Sequence, residues 1–515
     1  MSGRMHKTIL NAEVNLLFYF LSLFLAFFSR KIFLDCLGAD FIGLTATLGN
    51  ILGYLNLAEL GISSCISFFL FKPLQTDNHE TINEIMSVFG YLYRCIGLII
   101  FGGGILVSLF FPIIFGDENI GMGIVYFAFY SFMGSSLIGY FINYRQILLS
   151  ADQKNYVVAA YMQSAAILKT ALQIFLAYNY RNLYVWVAVE FIFGILACIV
   201  LNWKINQTYP WLKTDKRSGR QYLKKYPDIL NKTRQIFIHK LKQFITEKSD
   251  ELFVFVFVSL KMVAYYGNYT MIIAKISYFF SAVLDSFGAG IGNLIAEGNK
   301  QHIMNVFWEL NTIMHFVAGI MFFCIYHFLE PFISIWLGPE YVLGRDILML
   351  LCILKYFNAS RVIVEVYNHA HGLFADIWAA WTELAINVII TFFAGYIWGI
   401  VGILFGKVIS VGLLVILWKP YYLFTSGLHE SYLSYWYGVY RNFVVSAVSF
   451  VAAHMLLLLI PLDATDGYLS WTLYCMIGIA FYLSINLPLI MLFCKGAKDS
   501  INRVKSVVLK KRHRK

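Results

Sequence analysis

Six cations stand where the surrounding sequence leaves no water for them. Arg94, Lys169, Lys261, Lys355, Arg361 and Lys407 fall inside long apolar stretches, each close to the roughly 20 residues needed to cross hydrocarbon. A Lys or Arg at the centre of such a helix costs about 2.5 to 3.5 kcal/mol. Six facing lipid would cost on the order of 18 kcal/mol, more than the net stability of an ordinary fold. They must therefore face water, one another or an anion, and the chemistry they offer is reception of an anionic headgroup.

Helical spacing groups them with polar neighbours. At 100° per residue Lys355, Asn358, Arg361 and Glu365 share about 120° of arc. Gln163, Lys169, Thr170 and Gln173 form a second stripe, Lys261, Tyr265 and Asn268 a third, and Glu383, Asn387 and Thr391 a fourth. Stripes on both halves of the chain predict a hydrated cavity between two lobes, with Lys169, Lys355, Arg361, Lys407, Arg94, Lys261, Arg30, Asn358, Gln173 and Asn387 as its substrate-binding candidates. Six acids also lie within the spans, Glu59, Glu190, Asp285, Glu309, Glu365 and Glu383, so the sign of the cavity stays open. Arg361 and Glu365 can pair at i,i+4, while Arg94, Lys261 and Glu309 can snorkel to an interface. Glu59, Asp285, Glu383 and Glu365 are the candidates for ion coupling.

The elements that must hold these residues are membrane helices. With 59% hydrophobic and only 13% charged residues among 515, against roughly 25% charged in a soluble domain, the composition excludes a soluble enzyme. The absence of period-2 alternation excludes a transmembrane barrel. Fourteen helices are expected at about 10–29, 44–70, 85–112, 122–143, 156–178, 184–203, 249–267, 276–296, 305–329, 347–366, 376–396, 400–418, 443–460 and 469–494. With both termini inside, cytoplasmic segments hold 29 of the 40 Lys and Arg, and outer segments only Arg30, Lys31, Arg181, Lys275 and Arg345. The positive-inside rule thus places N- and C-termini in the cytoplasm. The +11 net charge reads as topology and contact with anionic inner-leaflet lipids, not nucleic-acid binding.

The segment 204–248 carries 12 basic and 3 acidic residues and divides an N-lobe, 1–203, from a C-lobe, 249–424, with two further helices and a basic tail over 425–515. Its second half reads either as a surface helix or as a cytoplasmic extension of the seventh helix. A repeat relates the lobes: Pro112 matches Pro331 at an offset of 219, Glu59 matches Asp285 at 226, Gly61 matches Gly288 at 227 and Asp152 matches Asp376 at 224. Gly288-Ala-Gly290-Ile-Gly292 lacks the preceding strand of a dinucleotide loop and reads as a hinge or close contact. His369-Ala-His371 has no third ligand in view. The eight scattered cysteines read as small hydrophobes, and no P-loop, H-E-x-x-H or G-x-S-x-G is present.

In this order the chain carries Ser29-Arg30-Lys-Ile-Phe33, Leu37-Gly38-Ala-Asp-Phe-Ile-Gly43, Leu57-Ala-Glu59-Leu-Gly61-Ile, Phe68-Phe-Leu-Phe-Lys72-Pro73-Leu, Ser334-Ile-Trp336-Leu-Gly338-Pro-Glu-Tyr341, Thr382-Glu383-Leu-Ala-Ile-Asn387, Gly399-Ile-Val-Gly402-Ile-Leu-Phe-Gly406-Lys-Val-Ile-Ser410 and Lys419-Pro-Tyr-Tyr-Leu-Phe424. Over about residues 13–440 it resembles the polysaccharide flippases of the MOP superfamily, the Wzx-like O-antigen and capsule repeat-unit translocases, in their Bacteroidota-type branch. Lys407 departs from the resemblance, since that position is more often small in the family. The resemblance implies an all-α polytopic membrane protein, a transporter and not an enzyme. Its substrate would be an undecaprenyl-pyrophosphate-linked oligosaccharide, moved across the bacterial inner membrane by alternating access. It also implies coupling to an H⁺ or Na⁺ gradient, no cofactor or metal, and the polymerase and chain-length regulators of the same pathway as partners. A MATE-like exporter and a MurJ-like lipid II flippase are the alternatives.

Overall fold

The computed structural model describes residues 2–59, 61–118, 120–215, 217–284, 291, 294, 295, 297–373 and 375–497. Asp285, Gly288, Gly290, Gly292 and the basic tail from 498 lie outside the described residues. All elements among the described residues are helical, as expected where hydrocarbon leaves each backbone N–H and C=O to find its partner within its own segment.

The chain forms two compact units, Met1–Ala264 and Tyr265–Lys515. The first contains α1 (Ser2–Leu37), α2 (Ala39–Leu55), α3 (Ile62–Gln75), α4 (His79–Ser108), α5 (Met122–Phe141), α6 (Asn155–Tyr180), α7 (Leu183–Thr208) and α8 (Asp228–Phe257). The second contains most of α9 (Leu260–Leu284), then α10 (Lys300–Trp336), α11 (Arg345–Ser360), α12 (Val362–Ala370), α13 (Ile377–Trp398), α14 (Ile400–Ser410), α15 (Tyr432–Leu458) and α16 (Tyr468–Phe493).

Eleven helices among the described residues are long and apolar enough to cross a membrane, three fewer than the sequence suggests. The expected helix at 44–70 is broken into α2 and α3. The one at 249–267 is divided at Val258 and Ser259, where α8 ends and α9 begins. The one at 276–296 runs from α9 into residues that are not described. The second half of 204–248 belongs to α8, a single 30-residue helix that also takes in the first part of the expected 249–267. The helix α14 continues through wider π-helical turns at Val411–Trp418 and Leu423–Gly427. Between these turns Pro420 withholds the N–H that residue 416 would receive, so the ladder widens.

In the first unit α3, α4 and α7 meet over Ile66, Leu70, Met86, Phe89, Leu201 and Ile205. The basic segment after α7 is strapped onto this core. Lys213 and Asp215 donate backbone N–H groups to Asn83 Oδ1 and Ser87 Oγ at 2.9 and 3.0 Å. Trp211 stacks on His79 with centroids 3.8 Å apart. Lys225 and Tyr226 both reach Glu84, at 2.7 and 2.5 Å. Arg145 donates to Asn206 Oδ1 at 2.6 Å. The segment is thereby part of the first unit, tied down by charge-assisted bonds at several points.

One tie recurs in each unit. Asp152, three residues before α6, accepts the Tyr209 hydroxyl at 2.8 Å just beyond α7. Asp376, directly before α13, accepts Trp418 Nε1 at 3.2 Å and Lys419 at 2.7 Å on the continuation of α14. The prolines compared above sit differently: Pro112 opens a short turn, Phe111–Ile114, whereas Pro331 lies inside α10.

Candidate functional site

The break between α2 and α3 positions a carboxylate. α2 gives way to a 3-10 turn, Asn56–Glu59, and the chain re-enters helix at Ile62 after Gly61, whose φ of +94° is open to glycine and strained for other residues. A continuous helix would have carried Glu59 onward along one face. The break instead turns it toward α4 and α5. Tyr93 of α4 donates its hydroxyl to Glu59 Oε1, and Tyr140 of α5 donates to Oε2 at 2.6 Å. Ser63 Oγ lies 3.0 Å from Oε1 and 2.5 Å from the Tyr93 hydroxyl.

These groups line a cavity of about 430 Å³, together with Phe89, Ser136, Gly139, Tyr144, Gln146, Ile147, Ser150, Asn155 and Val158. Among the described residues its lining contains no Lys or Arg. Both carboxylate oxygens accept from tyrosine hydroxyls. Protonation would turn one oxygen into a donor, and the tyrosine hydroxyl that faces it would then accept, its own hydrogen turned elsewhere. One carboxylate is thereby joined to hydroxyls on two other helices.

Two of the six intramembrane cations, Lys169 and Arg361, have carboxylate partners. Lys169 on α6 lies 2.5 Å from Glu190 on α7, whose second oxygen accepts Gln173 at 3.0 Å. Arg361 lies 2.7 Å from Glu365, the i,i+4 pair open in the sequence. Arg94 and Lys261 are exposed, while Arg30, Lys355, Asn358 and Lys407 are half-buried. Arg30 donates to the Ala264 carbonyl at 2.9 Å. Glu383, Asn387 and Thr391 are all buried. Asn387 reaches Ser410 at 3.3 Å and Thr391 the Ile403 carbonyl at 3.3 Å, so this stripe faces α14.

Sequence reasoning singled out Glu59 and missed its partners. Ser63 stands at i+4, a spacing that could have flagged it. Tyr93 and Tyr140 are two of 34 tyrosines and carry no local signature. Glu190 was counted among the acids without its link to Lys169, which only the packing of α6 on α7 provides.

No family model matches the chain, and no curated protein does. Among solved structures it is similar to the lipid II flippase MurJ in an inward closed conformation, at 15% identity and a TM-score of 0.64, covering 94% of this chain and 99% of that one. It is also similar to an inward-facing multidrug resistance transporter of the MATE family of the MOP superfamily, at 15% identity and a TM-score of 0.58, covering 82% and 98%. The fold is therefore the all-helical one of these transporters, and the chain is a multi-pass membrane protein.

Proposed function

We propose that the chain is a flippase that moves undecaprenyl-pyrophosphate-linked oligosaccharide repeat units from the cytoplasmic to the periplasmic leaflet of the bacterial inner membrane. It acts by alternating access and serves surface polysaccharide (O-antigen or capsule) assembly. The observation that carries this reading is the extent of the fold likeness. The likeness to the flippase covers 94% of this chain, that to the exporter 82%. The sequence resemblance to the polysaccharide branch narrows the cargo from lipid II to a lipid-linked repeat unit.

Physical chemistry supports a protein path for such a cargo. A charged headgroup cannot cross hydrocarbon unaided, since bare charge transfer costs tens of kcal/mol by Born estimates. An anion moving outward gains from an inside-negative potential, about 2.3 kcal/mol per charge per 100 mV. Glu59 takes the coupling proton or Na⁺, and anionic inner-leaflet lipids contact the basic segment that includes Lys213, Arg217 and Arg220. The termini are cytoplasmic, and the polymerase and chain-length regulators of the pathway are its partners.

One observation favours a second reading. Among the described residues the Glu59 cavity is lined by a carboxylate and hydroxyls but no Lys or Arg, which suits a cationic solute as well as a coupling ion, so a MATE-like exporter is the alternative.

Deletion and complementation separate these readings. Loss of the protein is expected to abolish surface polysaccharide, and its return to restore it, without rescuing a conditional lipid II flippase strain. Intact polysaccharide together with raised drug accumulation would assign the exporter, and rescue of the conditional strain would assign lipid II.

A further inference from the structure

In the second unit, α10, α15 and α16 share a seam of buried polar side chains. Asn311 and Asn486 are 0% exposed, Asn442 3% and His315 4%. His315 Nδ1 lies 3.0 Å from the Tyr356 hydroxyl of α11. Asn486 donates to Ser449 at 2.9 Å and to Tyr482 at 3.4 Å, and Asn442 donates to Thr312 at 3.4 Å.

These bonds leave a remainder. Among the described residues, Asn311 Nδ2 and Oδ1, His315 Nε2, Asn442 Oδ1 and Asn486 Oδ1 have no partner. Exchanging amide N and O does not remove the deficit: Asn311 lacks partners on both atoms, and a turned Asn442 or Asn486 leaves its NH₂ unpaired instead. Nor does the other tautomer of His315 give Nε2 a partner. Asn311 and His315 stand at i,i+4 on one face of α10, about 6 Å apart along the axis, so three unpaired atoms are neighbours.

An unpaired polar atom in a dry interior carries the full cost of its lost solvation. Internal water, with roughly three hydrogen bonds per molecule, is the usual remedy. None of these seam side chains is an acid, Lys or Arg, so an ion would have no counter-charge here, whereas water needs none. The end of the seam at Thr312 is closed by the chain after α16. Thr312 donates to the Lys495 carbonyl at 2.6 Å, and Gly496, at φ +77°, lies so near α10 that a Cβ would stand 2.5 Å from the Glu309 nitrogen.

We propose that α10, α15 and α16 enclose a built site for internal water, one molecule held by Asn311 and His315 and others by Asn442 and Asn486, closed at one end by Lys495 and Gly496. The site is independent of the Glu59 cavity. Water bridges keep these groups satisfied while their helices shift by about 1–2 Å.

X-ray hydroxyl-radical footprinting of the full chain in nanodiscs tests this, because water radiolysed in place labels the side chains it touches. His315 and Tyr356 are expected to label at least about tenfold faster than Tyr367, which is also fully buried but has its hydroxyl on the Ile303 carbonyl. Labelling as slow as that of Tyr367 overturns the proposal. In Asn311→Leu, a watered seam loses labelling at His315 and the thermal midpoint falls. A midpoint that rises, as removal of an orphaned amide from a dry seam would produce, also overturns it.

Discussion

The Tyr140 hydroxyl on α5 meets Glu59 Oε2 at 2.6 Å, while the Tyr93 hydroxyl on α4 holds the other oxygen. One carboxylate thus reads the positions of two helices. Glu59→Gln retains one acceptor and aims an amide at the other tyrosine, but can neither bind a proton nor carry charge. Transport is expected to fall at least about tenfold at unchanged protein level. Tyr140→Phe removes a bond to a charged group, of the order of 1.5–3 kcal/mol, and should lower the transport rate by less. Initial rates normalised to protein in the membrane check both.

Lys169 and Glu190 form a pair whose side chains are 22% and 26% exposed. Removing one partner leaves an unpaired charge in the membrane interior. A fully buried pair would lose about 3–5 kcal/mol, and the partial exposure brings the expectation to about 1–3 kcal/mol. Lys169→Met and Glu190→Leu should each lower the thermal midpoint, and the double variant should recover most of the loss and keep transport. A double variant that is stable but inactive would instead place Lys169 in substrate binding.

Lys225 carries an amine held above the ordinary lysine value by its bond to Glu84. Because the protonated form is the one stabilised, the contribution of this bond is intact below about 10.4. It is lost as pH rises through the elevated value. At pH 8 to 9 the amine should acylate several-fold more slowly than exposed Lys224, and Glu84→Gln should bring the two rates together. Competitive labelling with peptide mass mapping measures this. Equal rates in the unaltered protein would mean that the strap is not fastened at Glu84.

The ties from Asp152 to Tyr209 and from Asp376 to Trp418 and Lys419 join the start of one helix to the end of the next in each unit. Asp152→Ala and Asp376→Ala should each cost about 1–3 kcal/mol, a fall of roughly 2–4 °C per kcal/mol in units of this size. The two share no partner, so their effects should add. Thermal melts of the singles and the double variant check this.

The helical class was legible because apolar runs of membrane length have one structural solution. The broken second helix was not. Gly61 signalled a permissive backbone, but only the approach of Ile236 and Phe237, about 3.1 Å from its missing Cβ, shows why the chain turns there. At the site, Glu59 was visible as an acid in an apolar run, whereas Tyr93 and Tyr140 come from helices 34 and 81 residues away. The cations drew attention by their cost, yet Lys169 and Arg361 meet that cost with neighbouring carboxylates. Helical periodicity exposed the second pair and gave no hint of the first, because Glu190 lies on the following helix.

Reconstituted translocation tests the central claim most directly. With the protein in liposomes bearing a fluorescent lipid-linked oligosaccharide, loss of probe accessibility is followed before and after an imposed proton or Na⁺ gradient. Acceleration by one of the gradients in the unaltered protein, and its absence in Glu59→Gln, is the predicted result. Translocation that proceeds at equal rates in both proteins and ignores either gradient, or no translocation at all, would contradict it.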